Sequence, residues 1–148
     1  MDGAERTNPG SAAPAALSEA LARVGDRWSL LLIHTLLDGP QRFNELSESL
    51  PGIAPNVLSK RLKHLEEQGI VVATPYLRRP PRFAYPLSAV GAELAGALRL
   101  LTQWGASLMP DDESLHHSAC GTPLEVRWYC PTCGRLVETG EANDLRFA

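Results

Sequence analysis

Hydrophobic positions recur at helical spacing through most of the chain. Leu17, Leu21 and Val24 fall on one stripe, with Pro14 placed to open their helix and Gly25 to stop it. Asp26 is suited to cap a second helix, DRWSLLLIHTLLD, which Gly39-Pro40 ends. That segment is apolar on most sides, which predicts the central core helix; His34 within it reads as a packed or surface histidine. Asn44 can cap a short third helix carrying Leu46 and Leu50, and Pro51-Gly52 breaks it. Pro55 suits the first position of a fourth helix that Gly69 closes. Ala54 before it lacks a capping oxygen, an omission worth roughly 1 kcal/mol. The period then changes. Ile70-Val71-Val72 reads as a strand and Arg78-Arg79-Pro80-Pro81 as a hairpin tip. Phe83, Tyr85 and Leu87 alternate as a return strand, which Pro86 assigns to a sheet edge. Ser88 can cap a long fifth helix to about Leu108, roughly 30 Å at 1.5 Å per residue.

Charge is distributed unevenly along these elements. The chain has 148 residues, 44% hydrophobic, and a formal net charge of -3. That composition allows one core with an appendage and argues against indiscriminate nucleic-acid binding. Yet Lys60, Arg61, Lys63, Arg78, Arg79 and Arg82 face only Glu66 and Glu67 between Asn56 and Arg82. From Asp111 onward the acids dominate. The basic patch is therefore local to the fourth helix and the hairpin.

On the fourth helix, Leu58, Leu62 and Leu65 define a buried stripe at i, i+4, i+7. At about 100° per residue, Asn56, Lys60, Lys63 and Glu67 point away from it, flanked by Ser59 and His64. Lysines neutralise phosphates or reach guanine acceptors, and Asn pairs bidentately with adenine. A basic helix by itself is usually a solvated face. The preceding short helix, the Pro-Gly turn and the arginine hairpin change that balance in favour of double-stranded DNA. The expected contact set is Asn56, Ser59, Lys60, Arg61, Lys63 and His64 on the helix, with Arg42, Arg78, Arg79 and Arg82 around the hairpin. Helix 55–68 would enter the major groove, and the hairpin over 70–87 would lie on the backbone or minor groove.

The stretch from Ala20 to Gly105 resembles the HxlR-type winged helix-turn-helix regulators, relatives of the MarR group. The resemblance rests on VGDRW at Val24–Trp28, GPQRFNEL at Gly39–Leu46, and LPGI at Leu50–Ile53. It continues through VLSKRLKHLEEQG at Val57–Gly69 and PPRFAYPLS at Pro80–Ser88. It implies a homodimer that binds a palindromic operator and represses or activates transcription. Two features depart from the family. Many members carry a cysteine near the start of the first helix, where this chain reads Pro14-Ala15-Ala16-Leu17. Members commonly have Ser where Ala54 stands.

A second signal lies in the tail. His117-x-x-Cys120-Gly121 and Cys130-x-x-Cys133-Gly134 supply one imidazole and three thiolates at zinc-knuckle spacing. His116 is the competing imidazole. Leu124–Tyr129 and Arg135–Thr139 can pair as strands around the second knuckle. One structural Zn²⁺ per chain is expected, in a ribbon like the one some family members add. The alternatives are a zinc- or redox-responsive regulator with this tail as its input, or an acidic interaction module.

The expected fold is mainly α with a small β wing: a winged helix-turn-helix plus a small C-terminal zinc ribbon. Residues 1–13 would be a disordered tail, 14–109 the DNA-binding and dimerisation domain, 110–115 a linker and 116–148 the ribbon. No nucleophile–base motif, phosphate loop or carboxylate pair points to an enzyme. No signal peptide or membrane span is visible, and three cysteines fit a secreted disulfide framework poorly. The cytoplasm is the expected location. The motifs name no small-molecule effector.

Overall fold

The computed structural model describes residues 12–110 and 114–137. Of the tail expected to be disordered over 1–13, residues 1–11 lie outside the described residues and 12–13 are helical. Residues 111–113 of the expected linker and residues 138–148 also lie outside the described residues.

Helix α1 (Ala12–Val24) begins ahead of Pro14. Its apolar stripe is mostly unburied: Val24 enters the core, but Leu17 and Leu21 remain 60% and 54% exposed. Helix α2 (Arg27–Leu36) is the central helix, as its composition predicts, and touches α3, α4 and α6. It buries Ser29, Leu32, Ile33 and Leu36. Its N-terminus is held by Asp26, whose Oδ1 accepts from the amides of Trp28 and Ser29, both at 3.1 Å. Oδ2 accepts from the hydroxyl of buried Ser29 and, at 3.3 Å, from Arg61 Nη1 of α4. Partial burial alone would raise the Asp26 pKa. The Ser29 hydroxyl and amide, the Arg61 charge and the Trp28 amide outweigh it and hold the carboxyl below its usual value.

Strand β1 (Gln41–Arg42) leads directly into α3 (Phe43–Ser49). The helix starts earlier than the expected Asn44 cap. Arg42 is the N-cap residue, and Glu45 Oε2 accepts from its amide at 2.7 Å. The tight turn after α3 uses Gly52 at φ +91°. Helix α4 (Pro55–Glu67) starts at Pro55 with no side-chain cap from Ala54, and buries Leu58, Leu62 and Leu65. Truncating a fully buried leucine such as Leu58 typically costs about 2–5 kcal/mol.

Ile70 and Val71 are not the expected strand. Past Gly69, at φ +69°, both of their amides turn back to the carbonyl of Leu65 and close α4. Their side chains are buried as a plug at the base of the wing. The first wing strand is β2 (Thr74–Arg78), and Arg79-Pro80 form the tip before β3 (Pro81–Tyr85). The sheet order is β1-β3-β2, antiparallel throughout. The return strand is thus central rather than at an edge. Pro86 lies just past its end, and Pro81 at its start, so neither removes a donor from its middle. Gln41-Arg42, too short to announce itself in a pattern, supplies the third strand.

The expected long helix is interrupted. Ser88 caps α5 (Ala89–Ala92), accepting from Gly91 N at 3.0 Å, and α6 (Ala95–Ala106) follows. The interruption is a tightened turn in which Leu94 N bonds Gly91 O. Ser88 also ties the wing base shut: its amide bonds Ile70 O at 2.9 Å and its hydroxyl donates to Gly69 O at 2.6 Å. Gly91 is buried against this junction, where any Cβ would collide with the Ile70 carbonyl. In α6, Leu98 and Ala106 are buried, with Leu94 packed against the core just before it. Leu101, and Leu108 just past the helix, are exposed. Beyond α6, β4 (Trp128–Cys130) pairs antiparallel with β5 (Arg135–Val137). The strand expected over Leu124–Tyr129 begins only at Trp128, and the end of the second expected strand lies outside the described residues.

Replacing Asp26 by Ala removes the acceptor of the Trp28 and Ser29 amides and the partner of the Ser29 hydroxyl and Arg61. It is expected to cost about 1–2 kcal/mol, at the upper end for a lost N-cap. Because its folded pKa is depressed, the wild-type carboxylate contributes fully above the usual value of 3.8. That contribution drains away as pH falls below 3.8. Urea unfolding across this range should show the wild-type and Asp26→Ala stabilities converging in acid. A constant gap would rule out the charged cap.

Candidate nucleic-acid interface

Burial of Leu58, Leu62 and Leu65 fixes the rotation of α4, so its opposite face is free. Asn56, Ser59, Lys60 and Lys63 are all exposed. Lys63 Nζ lies 3.9 Å from Glu67 Oε1, a fully solvated pair of little strength. Asn56, Lys60 and Lys63, with the exposed Glu67, lie on the row that the amphipathic spacing predicts, and Ser59 flanks it.

Two of the expected contacts are engaged elsewhere. Arg61 is half-buried and reaches Asp26 at 3.3 Å. His64 Nε2 lies 2.8 Å from the carbonyl of Arg23, at the C-terminal end of α1. Both side chains clamp α4 onto α1 and α2.

The wing carries the remaining arginines. Arg78, Arg79 and Arg82 are exposed around the tip. Pairing shifts register between Pro75 and Leu77, so Tyr76 is an extra residue in β2. Arg42 reaches across the central strand and places its guanidinium 4.4 Å from the centre of the Tyr76 ring. A cleft of about 400 Å³ opens between the start of α3 and the wing, with Arg42, Tyr76 and Arg82 on its walls. Sequence reasoning included Arg42 but missed Tyr76, because a bulge leaves no mark in a short alternating pattern.

The tail forms two turns of the expected kind. Gly121 and Gly134 sit at φ +69° and +65°, with amides bonded to His117 O and Cys130 O. His117 Nδ1 is 3.3 Å from Cys120 Sγ. The hydroxyl and amide of Thr122 lower the Cys120 pKa. Cys130 is lowered by the Cys133 amide, then by the Cys133 thiol, the Thr132 amide and Arg135, while the neighbouring Cys130 raises Cys133. The expected ligands therefore stand as two pairs, His117 with Cys120 and Cys130 with Cys133. Among the described residues, no three His, Cys, Asp or Glu side chains converge on one point, so the four-ligand centre is not assembled. His116 turns its Nδ1 to Ser114 O at 2.5 Å.

The model of the HxlR-like helix-turn-helix family matches residues 23–113. The chain belongs to this family. An HTH-type transcriptional regulator of Mycobacterium tuberculosis, Rv3095, is 37% identical over 125 residues, covering 82% of this chain and 78% of its own. A solved Pseudomonas aeruginosa structure of the transcription-factor type, PA1374, aligns with a TM-score of 0.65 at 33% identity, covering 84% of this chain and 86% of that one. The redox regulator HypR in its reduced form aligns with a TM-score of 0.59 at 32% identity, covering 62% and 91%. The HxlR-like relatives are transcriptional regulators rather than enzymes, and the fold is their winged helix-turn-helix. No helix among the described residues is long and apolar enough to cross a membrane. The tail cysteines lie beyond the region matched by the HxlR-like model.

The clamp and the exposed row separate in a stability measurement. Arg61→Ala is expected to lower the unfolding free energy by about 0.5–1 kcal/mol, as for a partly exposed pair. Lys60→Ala should stay within about 0.5 kcal/mol of wild type. Equal losses in urea denaturation would mean that α4 is rotated differently.

Proposed function

We propose that this HxlR-like chain is a sequence-specific regulator that binds double-stranded DNA as a homodimer. Helix α4 reads a palindromic operator in the major groove, and the wing contacts the backbone or minor groove. The observation that carries this reading is the exposed row of Asn56, Ser59, Lys60 and Lys63, opposite a fully buried leucine stripe and beside an arginine-tipped hairpin. Arg42 joins the set through its cleft with Tyr76 and Arg82, while Arg61 and His64 orient the helix from behind. Support for the dimer comes from apolar surface that one chain leaves uncovered. Leu101 and Trp104 are exposed on α6, with Leu108 exposed just past its end, and Leu17 and Leu21 are exposed on α1. Two-fold symmetry would set the α4 helices about 34 Å apart, for successive major grooves.

The test is binding of the chain to a mapped operator across a range of salt, with its size followed by sedimentation. Lys60→Ala and Lys63→Ala should each lower the salt slope by ~0.9 without unfolding. Asn56→Ala should relax sequence preference by about 1–3 kcal/mol at one base pair. A monomer at micromolar concentration, or unchanged affinity in all three variants, would remove the proposal.

The same proposal takes the tail as a structural zinc site of His117, Cys120, Cys130 and Cys133. Each pair already has the glycine turn, the Cys120 and Cys130 thiols are lowered while Cys133 is raised by its neighbour, and zinc would require the two turns to close on one another. So small a tail buries little surface, so the metal would supply its folding energy. One zinc per chain is expected by elemental analysis of protein purified without chelator. Chelation should then melt the tail signals in an NMR spectrum and spare those of α2 and α4. A metal-free chain with an unchanged spectrum would exclude zinc.

The redox alternative keeps one specific support. HypR is a redox regulator, but this chain has no thiol before Cys120. Thiol sensing would have to run through Cys130 and Cys133, where Cys133 favours the Cys130 thiolate.

A further inference from the structure

Helix α6 faces the core on one side, through Leu98, and the tail on another. Between α6 and the tail lies a cleft of about 510 Å³, walled chiefly by Ala97, Leu100, Leu115, Leu124, Val126 and Trp128. It shares Arg99, Gln103 and Leu115 with a smaller, more polar cleft of about 370 Å³ that reaches His34 and Thr102. Arg99 therefore stands where an apolar slot meets a polar mouth. Together the two have the size of a small-molecule site.

The polar groups around this junction differ in availability. Arg127 is paired with Glu125, its Nη2 at 2.6 Å. The Gln103 amide donates to Leu124 O at 3.3 Å, and the Thr102 hydroxyl to Leu98 O at 2.8 Å. Arg99 makes no hydrogen bond or ion pair with any described residue. A guanidinium left over at the mouth of an apolar slot matches a carboxylate, which it can bind through two parallel N–H donors. A neutral ligand would leave that cation unused. Among the described residues, a dianion would find no second arginine in either cleft besides Arg127, which Glu125 holds. The slot is bounded by a helix face and the Trp128 ring, a shape that favours a flat body stacked edge or face on.

We propose that this double cleft binds an organic monocarboxylic acid, with a flat apolar body between α6 and the tail and its carboxylate on Arg99. This deepens the regulator reading by giving it an effector class. The route to the DNA face is structural: α6 packs on α2, and α2 is tied to α4 through Asp26 and Arg61.

The experiment titrates the full chain, without DNA, with 1-naphthoate and with the neutral isostere 1-naphthalenemethanol by calorimetry. Naphthoate is expected to bind saturably, one per chain, and the alcohol at least about tenfold more weakly. Arg99→Gln should bind both alike while melting at the wild-type temperature, and Arg99→Lys should restore part of the preference. Equal binding of acid and alcohol by the wild type, or a preference that survives Arg99→Gln, overturns the assignment. So does a naphthoate titration that stays flat to millimolar concentration. If Val126→Asp also splits a dimer in sedimentation, a second copy of the chain covers the cleft, and the ligand site is refuted. Operator affinity measured in parallel without ligand tests the regulator reading separately.

Discussion

The fold depends on one carboxylate. Asp26 closes the N-terminus of the central helix, and the same group takes the guanidinium of Arg61 from the helix that faces outward. A cap alone would stabilise α2. An ion pair alone, at this exposure, would contribute little. Joined on one group, they fasten to the core the flank of α4 whose rotation the buried leucines set, and rotation decides what the helix shows. His64 adds a second tether to the end of α1 on the same flank. With that flank and the leucine stripe both engaged, Asn56, Lys60 and Lys63 are left pointing outward. Their exposure is a consequence of what the other side chains of α4 do.

That geometry was legible in the sequence, but not with the grouping that charge invites. At about 100° per residue, Val57, Arg61, His64 and Gln68 share one flank of α4, and all four are half-buried. Counting Arg61 and His64 with the lysines follows their charge and ignores their angle. The caps and breaks were readable because each rests on local backbone chemistry: Asp26, Pro55, Gly52, Gly69 and Ser88 act as their residue types dictate. What could not be read depends on tertiary pairing. Ile70 and Val71 have strand-forming side chains, yet their amides are used to close α4. β1 has two residues and exists only because β3 lies beside it. The break before α6 sits among Gly91, Leu94 and Gly96, where no proline marks it.

The tail shows the same limit on the chemical side. Spacing within a knuckle is local, and both turns formed around their glycines. Whether two knuckles meet is a long-range question that no x-x spacing answers, and the chain holds them as separate pairs. The reading of four ligands at one point thus rests on stoichiometry of residue types rather than on placement.

Helix α6 draws these parts together because three of its faces have different duties. Leu98 packs into the core, Leu100 and Gln103 meet the tail, and Leu101 and Trp104 stand exposed. A helix committed on only one face would let the tail, the core and any partner chain vary independently. With all three on one short helix, the tail, the core and the outward strip share a single backbone. The segment beyond the family match, residues 114–137 of the described chain, thus rests on the helix that also packs on α2.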